Sequence, residues 1–131
     1  MTLRAVYLDA SALVKLVIDE AGSDELRAFL AVSAPPVTSC ISAVEVPRAL
    51  ARRGFAGTSA AAALTQTGQR DVDREVITAA AALGPASLRS LDAIHLATAA
   101  SISRQLGALI TYDQRMISEA QTLGLPVLSP A

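Results

Sequence analysis

Two short apolar runs stop at an aspartate and pass directly into a stretch with helical spacing: AVYL before Asp9, and ALITY before Asp113. A β-prone run that ends in a polar turn and continues as a helix pattern is the sequence form of a strand–turn–helix unit. Repeats of such units constrain a fold strongly. Strands joined by helices run parallel, and a parallel sheet has to be covered on both faces. The first run covers residues 3–8 and helical spacing follows over 11–18, with the turn at Asp9-Ala10. Leu26, Phe29 and Leu30 then predict a helix over 23–32, ended by Pro35-Pro36. Residues 37–40 form the next strand, and 43–53 a helix that accepts Pro47 only near its first turns, closed by Gly54 and Gly57. The Ala-rich stretch 58–83 has no sustained repeat and predicts two helical pieces around an irregular or weakly extended part at 66–72. An amphipathic helix carrying Leu91, Ile94, Leu96 and Ile102 is expected over 90–106, then a strand at 108–111, a helix at 114–123 and a last strand at 127–128, with Gly107 and Gly124 at the two helix ends. The expected class is α/β, a central mostly parallel sheet flanked by helices on both faces, in one domain over 1–131.

Composition narrows the function. A hydrophobic share of 52% in 131 residues is enough for one core. Arg4, Asp9 and Lys15 interrupt the N-terminal apolar run, which argues against a membrane span or a secretory signal and for a soluble, unprocessed chain. Cys40 is the only cysteine, so neither an internal disulfide nor a zinc cluster is expected, in keeping with a reducing cytoplasm; a small buried residue at a strand end is its ordinary role. With 11 basic against 12 acidic residues the chain does not resemble proteins that hold nucleic acid by bulk phosphate neutralisation, so any such contact must be local. Aromatic residues make up 3%, too few for a base-stacking platform. The GxGxxG and GxxxxGK[ST] loops are both missing, so no nucleotide cofactor is implied.

Most acids lie in polar settings such as Asp19-Glu20 or Asp24-Glu25. Asp9, Glu45, Asp92 and Asp113 do not: each is flanked by residues that favour burial, where a carboxylate is costly unless a cation or hydrogen bonds compensate it. Capping is the competing account. Ser42-x-x-Glu45 fits a capping box, Asp92 follows a Ser90 cap by two residues, and Asp9 and Asp113 can each cap the helix they precede. Their joint placement points further, since Asp9 and Asp113 fall beyond the carboxyl ends of parallel strands, the edge that receives the N-termini of the helices bearing Glu45 and Asp92. An oxygen-only cluster of this kind suits Mg²⁺ or Mn²⁺ rather than zinc. His95, one turn after Asp92, is expected to be a hydrogen-bonded core residue, because no Cys, second His or GxSxG elbow accompanies it. Arg48 and Arg52 share a helix face with Arg53 beside them, to steer phosphate, to bind acidic groups of a partner, or simply to be solvated.

The blocks YLDASALVKL at the start, SxxExxRAL from Ser42 to Leu50, LRSLDAIHLATA from Leu88 to Ala99, ITYD from Ile110 to Asp113, and LGLPVLSP at the end resemble the PIN-domain family and its VapC toxin branch, in family order and nearly end to end. The resemblance implies a PIN-like domain and an Mg²⁺- or Mn²⁺-dependent endoribonuclease, the toxin of a type II toxin–antitoxin pair. It implies Asp9, Glu45, Asp92 and Asp113 as both catalytic and metal-binding residues, RNA as substrate, a cognate VapB-like antitoxin and a toxin homodimer. Some relatives carry a further acid two residues after the last one; here that position is Arg115, which leaves the number of metal ions open. Two other functions fit parts of the pattern. An aspartyl-phosphate phosphatase would use Asp9 as nucleophile but usually has an acid two residues on, where this chain has Ser11. A catalytically silent PIN-like binding module would use the four carboxylates as caps only.

Overall fold

The computed structural model describes residues 4–131; Leu3, assigned to the first run, lies outside the described residues. Strand β1 (Ala5–Leu8) leads into helix α1 (Ala10–Val17), followed by α2 (Ser23–Ala31), β2 (Pro36–Ser39) and α3 (Ser42–Arg52). A 3₁₀ turn (Gly57–Ala60) runs into the short α4 (Ala61–Thr65), then come β3 (Gly68–Arg70), α5 (Arg74–Ala82), α6 (Ser90–Ser101), β4 (Leu106–Ile110), α7 (Gln114–Thr122) and β5 (Val127–Leu128). All five strands are parallel, in the order β3-β2-β1-β4-β5. The chain moves outward from β1 through β2 to β3, then returns to add β4 and β5 on the other side. The order therefore reverses between β1 and β4, and that switch point opens a crevice at the carboxyl edge.

Strand alternation divides the core. Val6 and Leu8 face Leu13 and Val14 of α1, Leu26 of α2, and Val46 and Leu50 of α3. Tyr7 and Leu109 face Leu96 and Ala99 of α6 and Met116 and Ala120 of α7. Burying one such leucine contributes about 1.5–3 kcal/mol, whereas an exposed ion pair contributes about 0.2–1 kcal/mol. Packing, not charge pairing, therefore sets where the acid-bearing ends of these elements lie. Among the described residues no helix is long and apolar enough to cross a membrane.

Three local expectations are corrected. The helix expected over 90–106 stops at Ser101, and Gly107 lies inside β4 instead of ending the helix. The register steps from Ala5↔Leu106 to Val6↔Ala108, leaving Gly107 as the extra residue of a bulge, and a Cβ there would lie 2.9 Å from that of Arg4. The capping box at Ser42 does not form: Ile41 is the N-cap of α3, and the Ser42 hydroxyl bonds Thr38 at 2.7 Å. Ser90 is likewise not a cap, because Arg89 holds that position with no side-chain bond. The extended part expected at 66–72 forms β3, an exposed edge strand beside β2. Gly54 and Gly124 follow their helices with φ of 84° and 74°, where glycine is the favoured residue. Cys40, directly after β2, is half-buried.

Candidate active site

A cavity of about 380 Å³ sits at the carboxyl edge by the switch point, and Asp9, Glu45, Asp92 and Asp113 all line it, together with Arg52, Arg89 and His95. Larger cavities exist, one of about 590 Å³ lined in part by Leu16, Val17, Leu30 and Ala63. Convergence of charge, not volume, singles out the smaller one.

Asp9 is 3% exposed. Its Oδ1 accepts from the Ser11 hydroxyl at 2.6 Å and from the Ala12 N–H at 3.1 Å, the latter capping α1, while Oδ2 accepts from the Thr111 hydroxyl. Thr111 Oγ1 also accepts the Asp113 N–H at 3.2 Å, and Ser11 Oγ accepts the Tyr112 N–H at 3.0 Å, so the ends of β1 and β4 are tied to each other. Burial pushes the Asp9 carboxyl above the usual range, against the pull of the Ser11 and Thr111 hydroxyls. The cap and cavity roles of Asp9 therefore coexist.

Glu45 reaches the cavity from the first turn of α3, and its Oε1 lies 2.6 Å from His95 Nε2. Asp92, in the first turn of α6, is 17% exposed and lies 3.5 Å from the Arg89 guanidinium. Burial raises its carboxyl above the ordinary value; Arg89 lowers it, and the neighbouring Asp113 charge raises it again. Asp113 caps α7 by accepting the Arg115 N–H at 2.9 Å, and meets Arg89 at 3.8 Å. The four acids named from sequence thus face one space. Their oxygens are already engaged by hydroxyls, His95 and Arg89. Among the described residues, no three His, Cys, Asp or Glu side chains stand together tightly enough to form a ready-made metal site. By donor type the set still fits a hard cation, being all oxygen with no sulfur.

His95 is 1% exposed and bonds both the Tyr7 hydroxyl and Glu45, so it is the hydrogen-bonded core residue expected; it also touches the acidic cavity, which sequence reasoning missed. Its i, i+3 spacing from Asp92 was the available signal. Of the arginine pair, Arg52 lines the cavity and Arg48 does not, while Arg53 pairs with Glu20 at 2.8 Å.

The PIN domain family model matches residues 6–121. Ribonuclease VapC46 of Mycobacterium tuberculosis is 45% identical over 128 residues, covering 97% of this chain and 98% of the relative. Ribonuclease VapC47 of the same species is 41% identical, covering 95% and 96%. In three dimensions the crystal structure of Mycobacterium tuberculosis VapC20, a toxin that cleaves the sarcin–ricin loop, superposes with a TM-score of 0.74 at 18% identity, covering 95% of this chain and 99% of that one. A toxin–antitoxin complex from Klebsiella pneumoniae gives 0.71 at 23% identity, covering 96% and 98%. Those two likenesses establish the fold. With the family match over most of the sequence and VapC relatives matched almost end to end, the chain belongs to the PIN-domain family, in its VapC-type branch.

Proposed function

We propose that this chain is the toxin of a type II toxin–antitoxin pair, a metal-dependent endoribonuclease that cleaves RNA phosphodiesters in the cytoplasm and is held in check by a VapB-like antitoxin. One observation carries the reading: acids at positions 9, 45, 92 and 113, far apart in sequence, converge on one cavity at the sheet's switch point. The VapC46 and VapC47 relatives, named as ribonucleases, support the substrate class. The toxin–antitoxin complex among the structural neighbours supports an antitoxin partner.

Asp9, Glu45, Asp92 and Asp113 would hold Mg²⁺ or Mn²⁺. When bound, such a cation stabilises charge on the phosphate oxygens and lowers the pKa of a water. The protein's own groups divide the remaining work. Asp9 is locked by Ser11, Ala12 and Thr111 and serves as the fixed point of the site. Asp92, partly open to the cavity, is placed to accept a hydrogen bond from the attacking water and orient it. Arg52 and Arg89, on the cavity wall, bind and orient phosphate. The burial of Asp9, and Ser11 in the place where such a phosphatase usually has a second acid, favour hydrolysis without a covalent intermediate over a phosphoaspartate route; the Oδ2 lone pair that Thr111 leaves free is the one open to a cation.

Expression of the chain alone tests this reading. We expect growth arrest, new RNA ends, relief by the adjacent small antitoxin gene, and no arrest with Asp92→Asn. Normal growth of cells making soluble full-length protein would sink it, as would arrest that persists in Asp92→Asn.

A further inference from the structure

Three elements that carry acids of the cavity also carry three residues joined by hydrogen bonds behind it. Tyr7 lies two residues before Asp9 on β1, His95 one turn after Asp92 on α6, and Glu45 itself is on α3. The Tyr7 hydroxyl is 2.7 Å from His95 Nδ1, and His95 Nε2 is 2.6 Å from Glu45 Oε1. The Tyr7 ring is fully buried and meets the imidazole edge-on, with centroids 5.8 Å apart. We infer that His95, backed by Tyr7, is a positioning residue that fixes the Glu45 carboxylate and sets the spacing between Glu45 and Asp92.

The layout gives the reason. Helices α3 and α6 pack on opposite faces of the sheet and share no core, α3 through Val46 and Leu50, α6 through Leu96 and Ala99. Apolar packing therefore sets each helix on the sheet but gives the Glu45 and Asp92 side chains no common support. The His95–Glu45 bond supplies it across the carboxyl edge, and Tyr7 anchors the imidazole to the central strand. A glutamate has three side-chain torsions, and a bond to one oxygen removes most of that freedom. With Oε1 held by His95 and no other bond to the Glu45 side chain among the described residues, Oε2 is left for the cavity. A buried apolar residue of similar size would fill the space beside Leu96 without orienting anything. Outer partners of this kind typically change metal affinity or activity 10- to 100-fold when removed.

This inference rests on the metal-dependent reading, and the measurements separate the two. Mn²⁺ affinity, read from the EPR signal of free Mn²⁺, needs no turnover. His95→Leu is expected to bind Mn²⁺ about 10- to 100-fold more weakly, and to lower kcat while leaving KM for RNA near the parent value. His95→Gln, whose amide N–H reaches about where Nε2 does, should recover most of the affinity, and Tyr7→Phe should lose part of it. Because His95 is the only histidine, ¹⁵N-histidine labelling gives a single imidazole, readable even where a His95 variant fails to fold. Mg²⁺ should shift its ring nitrogens in the parent and not in Glu45→Gln. If Glu45→Gln weakens Mn²⁺ binding while His95→Leu matches the parent in affinity and kcat, the positioning role alone is overturned. Ring nitrogens unmoved by Mg²⁺ overturn it as well. A parent with no saturable Mn²⁺ site overturns both the metal-dependent reading and this inference.

Discussion

On the sheet side of the cavity, Asp9 is 3% exposed and both its oxygens are held by groups from α1 and from Thr111, just after β4. On the helix side, Asp92 and Asp113 have Arg89 at 3.5 and 3.8 Å, and the Arg89 side chain is 63% exposed. One side is an assembled hydrogen-bond network, the other a loose group of charges around a long, solvated side chain. The first costs free energy to disturb; the second does not. This division explains how four acids line one cavity without forming a finished metal site. The sheet edge is fixed by folding, and the helix-borne arms are left to be drawn in by what binds.

The largest contrast is expected in stability. Thr111→Val keeps the shape but removes the hydroxyl that donates to Asp9 and accepts the Asp113 N–H. A hydrogen bond to a charged group contributes about 1.5–3 kcal/mol, so urea unfolding of the metal-free variant should show a loss in that range. Arg89→Ala should stay within about 0.5 kcal/mol of the parent, as surface changes do. Equal losses from the two would erase the distinction between a built side and an open side.

A smaller effect should appear in the pH dependence of the metal-free protein. The Asp9 and Asp92 carboxyls are both raised from 3.8 in the fold, chiefly by burial. The folded chain therefore holds these protons more tightly than the unfolded one. Their contribution to stability falls as pH rises from the ordinary value through the raised ones, and the penalty is complete above them. Glu20 works in the opposite sense: its hydrogen bond from Arg53 lowers it from 4.5, so its contribution is in place above 4.5 and is lost as pH drops through the lowered value. As pH rises from 3.8 through the raised values, the melting temperature of the parent should fall relative to that of Asp92→Asn, and Mn²⁺ should offset the fall by binding the ionised acids. A parent that instead gains on Asp92→Asn as pH rises would contradict the assigned burial cost.

The sequence made visible what depends on pattern within a few residues. Asp9 and Asp113 were legible because each closes an apolar run, and packing on both faces of β1 and β4 demanded that run. What depends on contacts between distant segments was hidden. Gly107 had the form of a helix end because its reason for being glycine is Arg4, about a hundred positions away. β3 has three exposed residues and hence no burial pattern to detect. The Ser42 box had the right letters, yet Ser42 bonds Thr38 four residues earlier, and Glu45 finds its partner in His95, 50 positions away. His95 was rightly placed in the core, but its link to Glu45 spans 50 positions and leaves no local trace.

The finest test lies along α3, where Arg48 and Arg52 are four residues apart and look equivalent in sequence. The structure separates them, since Arg52 lines the acidic cavity and Arg48 is exposed away from it. Removing one cationic partner of a single-strand phosphate lowers the slope of log K against log salt by roughly 0.7. RNA binding measured in an Asp92→Asn background, where the proposed role of Asp92 predicts suppressed cleavage, should show that decrease for Arg52→Ala and less than half of it for Arg48→Ala. A decrease as large for Arg48→Ala would extend the RNA path along the whole helix face. If neither slope changes, Arg52 is instead a resident countercharge to the four acids. Its removal should then tighten Mn²⁺ binding, because a positive neighbour of a cation site costs affinity in proportion to its closeness.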